Sequence, residues 1–156
     1  YVEEKNNKKI CTINLIGRTN INDVMSNNPF EIADQIVTEV KADIYMVDFH
    51  AEATAEKLAM GHFLDGRITG LFGTHTHIPT ADNRILPKGT GYITDLGMTG
   101  PSNSILGMDI KTALIRFVKS LPEKYKVAEG PVELNGAIFD IDDETNKVKS
   151  VYRVHM

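Results

Sequence analysis

Residues 68–77, ITGLFGTHTH, join an apolar run to two histidines that are separated by one threonine. The apolar run is typical of a buried strand, and Gly73 allows a turn or a close backbone approach where that strand ends. In an extended segment, the side chains of His75 and His77 leave the same face, with backbones about 6–7 Å apart. Two imidazoles placed in this way can bind one metal ion, or each can bind one of two neighbouring ions. The alternative is a pair of polar residues on an exposed strand.

A third histidine ends another predicted strand. The stretch from Asp43 to Phe49 is short and apolar, which is typical of a strand buried on both faces, and His50 follows it directly. Binding sites in parallel α/β sheets usually lie at the carboxyl ends of the strands. If the two strands are neighbours, His50, His75 and His77 gather at one sheet edge. The sequence therefore favours a metal site over the alternative for His50, a core histidine bonded to a backbone carbonyl.

The three histidines do not identify the metal, because neutral imidazole binds Zn, Fe and Mn alike. They also carry no charge, whereas two divalent ions need carboxylates to offset about four positive charges. The carboxylates close to these motifs are Asp48, Glu52, Asp65, Asp82 and Asp95. Each has an alternative role as a helix cap, a turn residue or a strand-end hydrogen-bond partner, and none has a spacing typical of a metal ligand. Of the other two histidines, His62 is interpreted as a surface or packing residue and His155 as a solvated one.

The remaining pattern predicts an α/β fold in one structural unit, residues 1–156, with a C-terminal β-hairpin. Apolar and β-branched runs predict strands at Lys9–Ile16, 43–49, 67–73 and 92–95. Helical spacing predicts one helix from an Asn28 cap to about Lys41, a second at about 52–64, and a third after Asp109. The hairpin is predicted from alternation in residues 132–142 and 147–154, with a polar turn between them.

Composition restricts the class of protein. The chain has 156 residues, 42% hydrophobic and 24% charged, which is typical of a globular protein rather than a disordered one. The net charge of −4 disfavours an extended nucleic-acid surface. No apolar run approaches the roughly 20 residues of a membrane helix, so no membrane partner is expected. A single cysteine, Cys11, excludes a disulfide framework, and we expect a cytoplasmic protein.

Two long stretches resemble a known family. Residues 47–67, VDFHAEATAEKLAMGHFLDGR, and 73–101, GTHTHIPTADNRILPKGTGYITDLGMTGP, are very similar to the YmdB-like metallophosphoesterases. These are bacterial phosphodiesterases of the calcineurin-like superfamily, reported to act on 2′,3′-cyclic nucleotides. The likeness spans nearly the whole chain. It implies part of an α/β/β/α sandwich that binds two divalent metal ions, with Fe or Mn favoured over Zn.

The resemblance assigns metal ligation to three residues of this sequence. His50 and His75 would bind one ion, and His77 would bind the other. The resemblance thus selects the same three histidines that the strand ends indicate.

Further roles at the site follow as hypotheses. Asp48 and Asp95 are candidates to hold an imidazole N–H. Gly97, Thr99 and Gly100 lie in a glycine-rich loop whose backbone N–H groups could bind phosphate. An ordinary tight turn is the alternative for that loop.

The resemblance has one large gap. The family's GD, GEN and GNH motifs, which supply an aspartate, a bridging glutamate, two asparagines and the general-acid histidine, are absent from this sequence. We therefore expect the sequence to correspond to the C-terminal half of such an enzyme, with no catalytic residue within it and little activity on its own. The implied function of the complete enzyme is metal-assisted hydrolysis of cyclic nucleotides or other phosphodiesters. Half of a sandwich leaves one sheet face uncovered, and such a face predicts a homo-oligomer.

Two alternatives belong to other functional classes. A mononuclear metal protein would bind one ion through His50, His75 and His77, with water as the fourth ligand. A non-catalytic interaction module would keep the histidines without binding metal and would act by assembly.

Overall fold

A computed structural model describes residues 1–21 and 27–156. In these residues the strands are β1 (Val2–Lys5), β2 (Lys8–Ile16), β3 (Ile44–His50), β4 (Gly70–Thr74), β5 (Arg84–Ile85), β6 (Gly91–Ile93), β7 (Gly100–Pro101), β8 (Val132–Glu133), β9 (Asn135–Ile141) and β10 (Val148–His155). The helices are α1 (Pro29–Glu39), α2 (Thr54–Leu64) and α3 (Ile110–Lys119). The order of strands and helices confirms the predicted α/β class and the C-terminal hairpin.

The main sheet has the strand order β1-β2-β3-β4-β6-β5. Strands β2, β3, β4 and β6 are parallel, whereas β1 and β5 pair antiparallel at the two edges. The register places Phe49 opposite Gly73 and His50 opposite Thr74. The carboxyl ends of β3 and β4 are therefore direct neighbours, and His50 and His75 lie at the same edge of the sheet.

Helices α1 and α2 cover one face of this sheet. Alternate residues of β2, namely Cys11, Ile13 and Leu15, are buried in the same core as Met60 and Leu64 of α2. Helix α1 begins as predicted, because the Asn28 side chain accepts a hydrogen bond from the Phe30 N–H at 3.1 Å. This packing fixes α2 directly behind the ends of β3 and β4.

The hairpin of β9 and β10 packs on the other face of the sheet, over β4 and β6. Phe139 of β9 contacts the sheet, with its ring centroid 6.5 Å from that of Phe72. Glycines in the sheet make room for it, since a Cβ on Gly70 or Gly91 would lie 2.9 or 2.7 Å from the Phe139 ring. The sheet thus lies between a helical layer and a second β layer.

Some element ends differ from the predictions. Strand β4 begins at Gly70 rather than Arg67, because the Arg67 N–H closes a turn on the Leu64 carbonyl at 2.9 Å. Strand β6 ends at Ile93 rather than Asp95, since the Thr94 N–H donates to the Asp82 side chain and the Asp95 carboxylate accepts from Lys57 of α2. The short strands β1, β5 and β7 lie outside the predicted strands, because two to four residues carry too little periodicity. The predicted hairpin strand at 132–142 is divided in the structure: Val132–Glu133 forms β8, which pairs with β7, and the hairpin strand β9 begins at Asn135.

Within the described residues, no helix is both long enough and apolar enough to cross a membrane.

Candidate metal centre

A chain of hydrogen bonds orients His50 at the end of β3. The His50 Nδ1 lies 3.0 Å from the Thr74 Oγ1, and the Thr74 hydroxyl donates to the Asp48 carboxylate at 2.8 Å. A carboxylate only accepts, so the hydroxyl proton of Thr74 is used there and its oxygen accepts from the His50 Nδ1–H. The neutral ring of His50 therefore carries a lone pair on Nε2.

His75 lies next to His50 and has a partner on each ring nitrogen. Its Nε2 is 3.0 Å from the Glu52 carboxylate, and its Nδ1 is 3.0 Å from the His50 Nε2. The two rings are almost perpendicular, at 86°, with centroids 4.8 Å apart. Because Glu52 accepts the Nε2–H of His75, the Nδ1 of a neutral His75 carries a lone pair that faces the lone pair of His50.

Two facing lone pairs require a cation between them, either a proton or a metal ion. Two nitrogens that each lie about 2.1 Å from one ion, with about 90° between the bonds, are about 3.0 Å apart. The observed separation of 3.0 Å between His50 Nε2 and His75 Nδ1 fits this arrangement. The two imidazoles and their partners, Thr74 and Glu52, therefore fit a divalent metal ion.

The conformation of the GTHTH segment differs from the prediction. Strand β4 ends at Thr74, and both His75 (φ 110°) and His77 (φ 68°) have left-handed backbone conformations. The expectation of an extended segment with both imidazoles on one face is therefore wrong. Such conformations cost about 1–3 kcal/mol each outside glycine and persist where the surroundings enforce them, often at functional sites.

The third histidine of the predicted set is His77. Its side chain is exposed, and its carbonyl accepts a hydrogen bond from the Met98 N–H at 3.1 Å. Among residues 1–21 and 27–156, no group of three or more His, Cys, Asp or Glu side chains forms a potential metal site. The structure thus brings together His50 and His75 and gives no support to one ion held by all three imidazoles. The role of His77 as a ligand of a second ion stays a prediction.

Asp95 does not hold an imidazole, which corrects the prediction made for it. Its carboxylate is 1% exposed and lies 2.7 Å from the Nζ of Lys57, which is fully buried in α2. It also accepts from the Thr76 N–H and hydroxyl and from the Gly97 N–H. Burial raises the pKa of Asp95, but the hydrogen bonds from Lys57, Gly97 and Thr76 outweigh it and lower the pKa below its usual value.

Sequence reasoning missed Lys57, although a signal was present. Lys57 precedes Met60, Gly61 and Leu64 at spacings of three, four and seven residues, and all four are buried on one face of α2. A lysine on the buried stripe of a helix needs a buried counter-charge, so this spacing predicts a partner such as Asp95.

The other predicted site residues have clear structural partners. Asp48 reaches His50 only through Thr74, and its second carboxylate oxygen accepts from the Asn14 amide at 2.8 Å. Glu52, for which a helix cap was the alternative role, instead contacts His75. Glu52 follows His50 by two residues at the same strand end, and that proximity was the only sequence signal for its role.

Part of the glycine-rich loop is already hydrogen-bonded within the chain. The Gly97 N–H donates to Asp95 at 2.9 Å, and the Thr99 hydroxyl lies 3.4 Å from both the carbonyl and the N–H of Asn135. Gly100 belongs to β7 and pairs with Glu133 in β8. The loop therefore connects the sheet edge that carries His50 and His75 to the C-terminal part of the chain, and its phosphate-binding role stays a prediction.

Known proteins resemble this chain over nearly all of its length. The family described as YmdB-like protein matches residues 1–154. A 2′,3′-cyclic-nucleotide 2′-phosphodiesterase from Bacillus subtilis (strain 168) is 50% identical over 151 residues, which are 96% of this chain and 56% of that protein. A putative phosphatase/phosphodiesterase from Mycoplasma pneumoniae is 40% identical over 94% of this chain and 53% of that protein. The chain therefore spans about half the length of the curated relatives it matches.

Two crystal structures share the fold over 100% of this chain. A novel phosphatase from Mycoplasma pneumoniae has a TM-score of 0.94 and 38% identity, and the match covers 56% of that chain. A hypothetical protein from Thermus thermophilus has a TM-score of 0.91 and 35% identity, with 60% of that chain covered. These matches confirm the predicted metallophosphoesterase-type fold. Taken with the family match across residues 1–154, they show that this chain belongs to the YmdB-like protein family.

Proposed function

We propose that this chain forms part of a metal-dependent phosphodiesterase that hydrolyses 2′,3′-cyclic nucleotides. The observation that carries the proposal is the pair of imidazole nitrogens, His50 Nε2 and His75 Nδ1, which face each other at 3.0 Å at the carboxyl edge of a parallel sheet. The activity after which the Bacillus subtilis relative is named, in a protein 50% identical to this chain, supports the substrate class.

Within this proposal, each described residue has a limited task. His50 and His75 bind one ion, while Thr74 with Asp48 and Glu52 hold the two rings in the tautomers that leave the facing nitrogens unprotonated. When bound, two divalent ions, Fe or Mn in preference to Zn, would polarise the phosphoryl oxygens and activate water for attack on phosphorus.

We propose further that the chain corresponds to the C-terminal half of the enzyme. The described residues bring together two imidazoles, and the carboxylate beside them, Glu52, is used by the ring of His75. Two divalent ions need more negative charge than this. The bridging carboxylate, the remaining ligands and the general acid would then be supplied by the remaining length that the relatives have.

The test is an assay of the complete gene product on 2′,3′-cyclic AMP after removal of metal. We expect turnover to return when Mn²⁺ is added and to be lost again with a chelator. Turnover that does not change when the chelator is added contradicts the proposal. So does a lack of turnover at every concentration of Mn²⁺ and Fe²⁺.

We also propose that the protein forms a homo-oligomer in the cytoplasm. Helix α3 exposes an apolar stripe, in which Leu114, Phe117 and Val118 are 48%, 75% and 73% exposed. A contiguous apolar patch of this kind is typical of an interaction surface. Light scattering on the complete gene product should give a mass that is a multiple of the chain mass, and a monomer at all concentrations would contradict the proposal.

A further inference from the structure

We propose that the buried pair of Lys57 and Asp95 positions the loop that carries His75 and His77, an inference that rests on the proposed metal-dependent function. The Lys57 Nζ lies 2.7 Å from the Asp95 Oδ2, and the two side chains are 0% and 1% exposed. Lys57 comes from α2 and Asp95 follows β6, so the pair joins two elements behind the loop.

Asp95 holds the middle residue of the loop. Thr76 lies between the two histidines, and its N–H and its hydroxyl both donate to the Asp95 Oδ2, at 3.1 and 2.8 Å. The residues on both sides of Thr76 have left-handed conformations that are unfavourable without support. A carboxylate that fixes both polar groups of Thr76 supplies that support at the point where the two strained residues meet.

The backbone of the loop is fixed at its ends by other contacts. The Leu96 N–H donates to the Gly73 carbonyl at 2.9 Å, and the Met98 N–H donates to the His77 carbonyl at 3.1 Å. These bonds tie the loop to the segment after Asp95 without fixing the peptide planes around Thr76. The hydrogen bonds to Asp95 complete the constraint.

Lys57 makes a buried Asp95 possible. A buried carboxylate needs a counter-charge and hydrogen bonds to remain ionised, and Asp95 has Lys57 together with Thr76 and Gly97. Buried ion pairs are often replaceable by apolar residues without loss of stability. We therefore assign to the Lys57–Asp95 pair the role of holding Thr76 in position, rather than that of stabilising the core.

Thr76 offers a substitution that separates loop position from folding. Thr76→Val keeps the shape of the side chain and removes the hydroxyl, whereas Thr76→Ser keeps the hydroxyl. We expect Thr76→Val to weaken Mn²⁺ binding by the complete gene product about tenfold. Thr76→Ser should keep the wild-type affinity, and calorimetry measures both. The matched control is Thr145→Val, which removes a similar hydroxyl bond to Asp142, 2.9 Å long, in the hairpin turn and should leave affinity unchanged.

The ion pair itself is tested with both charges removed. Asp95→Asn alone leaves Lys57 buried without a counter-charge and can prevent folding, so Lys57→Met and Asp95→Asn are combined. We expect a 10- to 100-fold loss of Mn²⁺ affinity, with a thermal midpoint of the metal-free protein close to wild type. The imidazole NMR signals of the metal-free double variant should shift for His75 and His77 and stay in place for His62.

The outcomes separate the two proposals. Wild-type affinity and unchanged His75 and His77 signals in Thr76→Val overturn the positioning role, whether or not the double variant folds. If the wild-type protein binds Mn²⁺ and hydrolyses cyclic nucleotides while these variants match it, only the positioning role fails. If the wild-type protein does neither, both proposals fail.

Discussion

At the scale of single residues, the site depends on where two protons lie. The proton on the His50 Nδ1 is held by Thr74, and the proton on the His75 Nε2 is held by Glu52. The opposite nitrogens of the two rings are therefore available to one ion. In the proposed metal site, the ligand atoms are thus selected by residues that would not bind the metal themselves.

Loss of one of these imidazoles should remove metal and activity together. His75→Ala in the complete gene product should lower turnover of 2′,3′-cyclic AMP by at least about 100-fold, because it removes a ligand and its hydrogen bond to Glu52. The matched control is His62→Ala, since His62 is exposed on α2. An equal loss of turnover in the two variants would contradict the assignment.

Asp82 should make the protein sensitive to acid. Burial raises the pKa of Asp82, but hydrogen bonds from Thr94 and Thr80 outweigh it and lower the pKa below its usual value. A lowered pKa contributes stability that is present above the usual value and is lost as pH falls through the lowered one. We expect the free energy of unfolding to fall below about pH 4.

Chemical denaturation at pH 7, 5 and 3 measures this contribution. Asp82→Asn should be less stable than wild type at pH 7 and should lose less stability on acidification. The same pH dependence in both proteins would show that Asp82 makes no such contribution.

At the scale of elements, the ends of β3 and β4 place His50 and His75 next to each other. Gly73 of β4 allows the backbone directly after β6 to approach closely. A Cβ on Gly73 would lie 1.9 Å from the Thr94 carbonyl oxygen, which is backbone and cannot rotate away. The requirement at Gly73 is for space rather than for an unusual backbone angle.

Gly73→Ala should therefore destabilise the protein by about 1–3 kcal/mol or more, through forced backbone movement. Gly136→Ala is the matched control, since a Cβ there would meet nothing within 4 Å. Urea denaturation measures the free energy of unfolding of both variants. Equal stability of the two variants would contradict the close approach at Gly73.

Much of this element-level arrangement could be predicted from the sequence. The apolar runs before His50 and before Gly73 predict strands, and their parallel pairing places both ends at one edge. The left-handed conformations of His75 and His77 could not be predicted, because a His-x-His pattern carries no signal for backbone angle. The contact of Thr76 with Asp95 joins residues 19 positions apart, outside any local periodicity.

At the scale of the whole molecule, the sheet has a helical layer on one face and the hairpin on the other. In the hairpin contact, the ring of Phe139 packs against glycines of β4 and β6, and Val151 of β10 packs beside it against Gly91. The sequence predicts the hairpin but not its position on the sheet, since glycine spacing alone does not identify the ring that fills the space.

Phe139→Ala should loosen the hairpin and lower the free energy of unfolding by about 1–3 kcal/mol, less than for a fully buried phenylalanine. Ile138→Ala on the same strand is the control, because Ile138 is 56% exposed. Denaturation of both variants by urea checks this. If Ile138→Ala lowered the free energy of unfolding more than Phe139→Ala, the assignment of the packed face of β9 would be wrong.

The shared metal ion of His50 and His75 is the central claim, and anomalous diffraction at the manganese absorption edge tests it most directly. Crystals of the complete gene product grown with Mn²⁺ should show a peak about 2.0–2.2 Å from both the His50 Nε2 and the His75 Nδ1. A manganese peak that lies near neither nitrogen, or no peak at this edge of the sheet, would contradict the account.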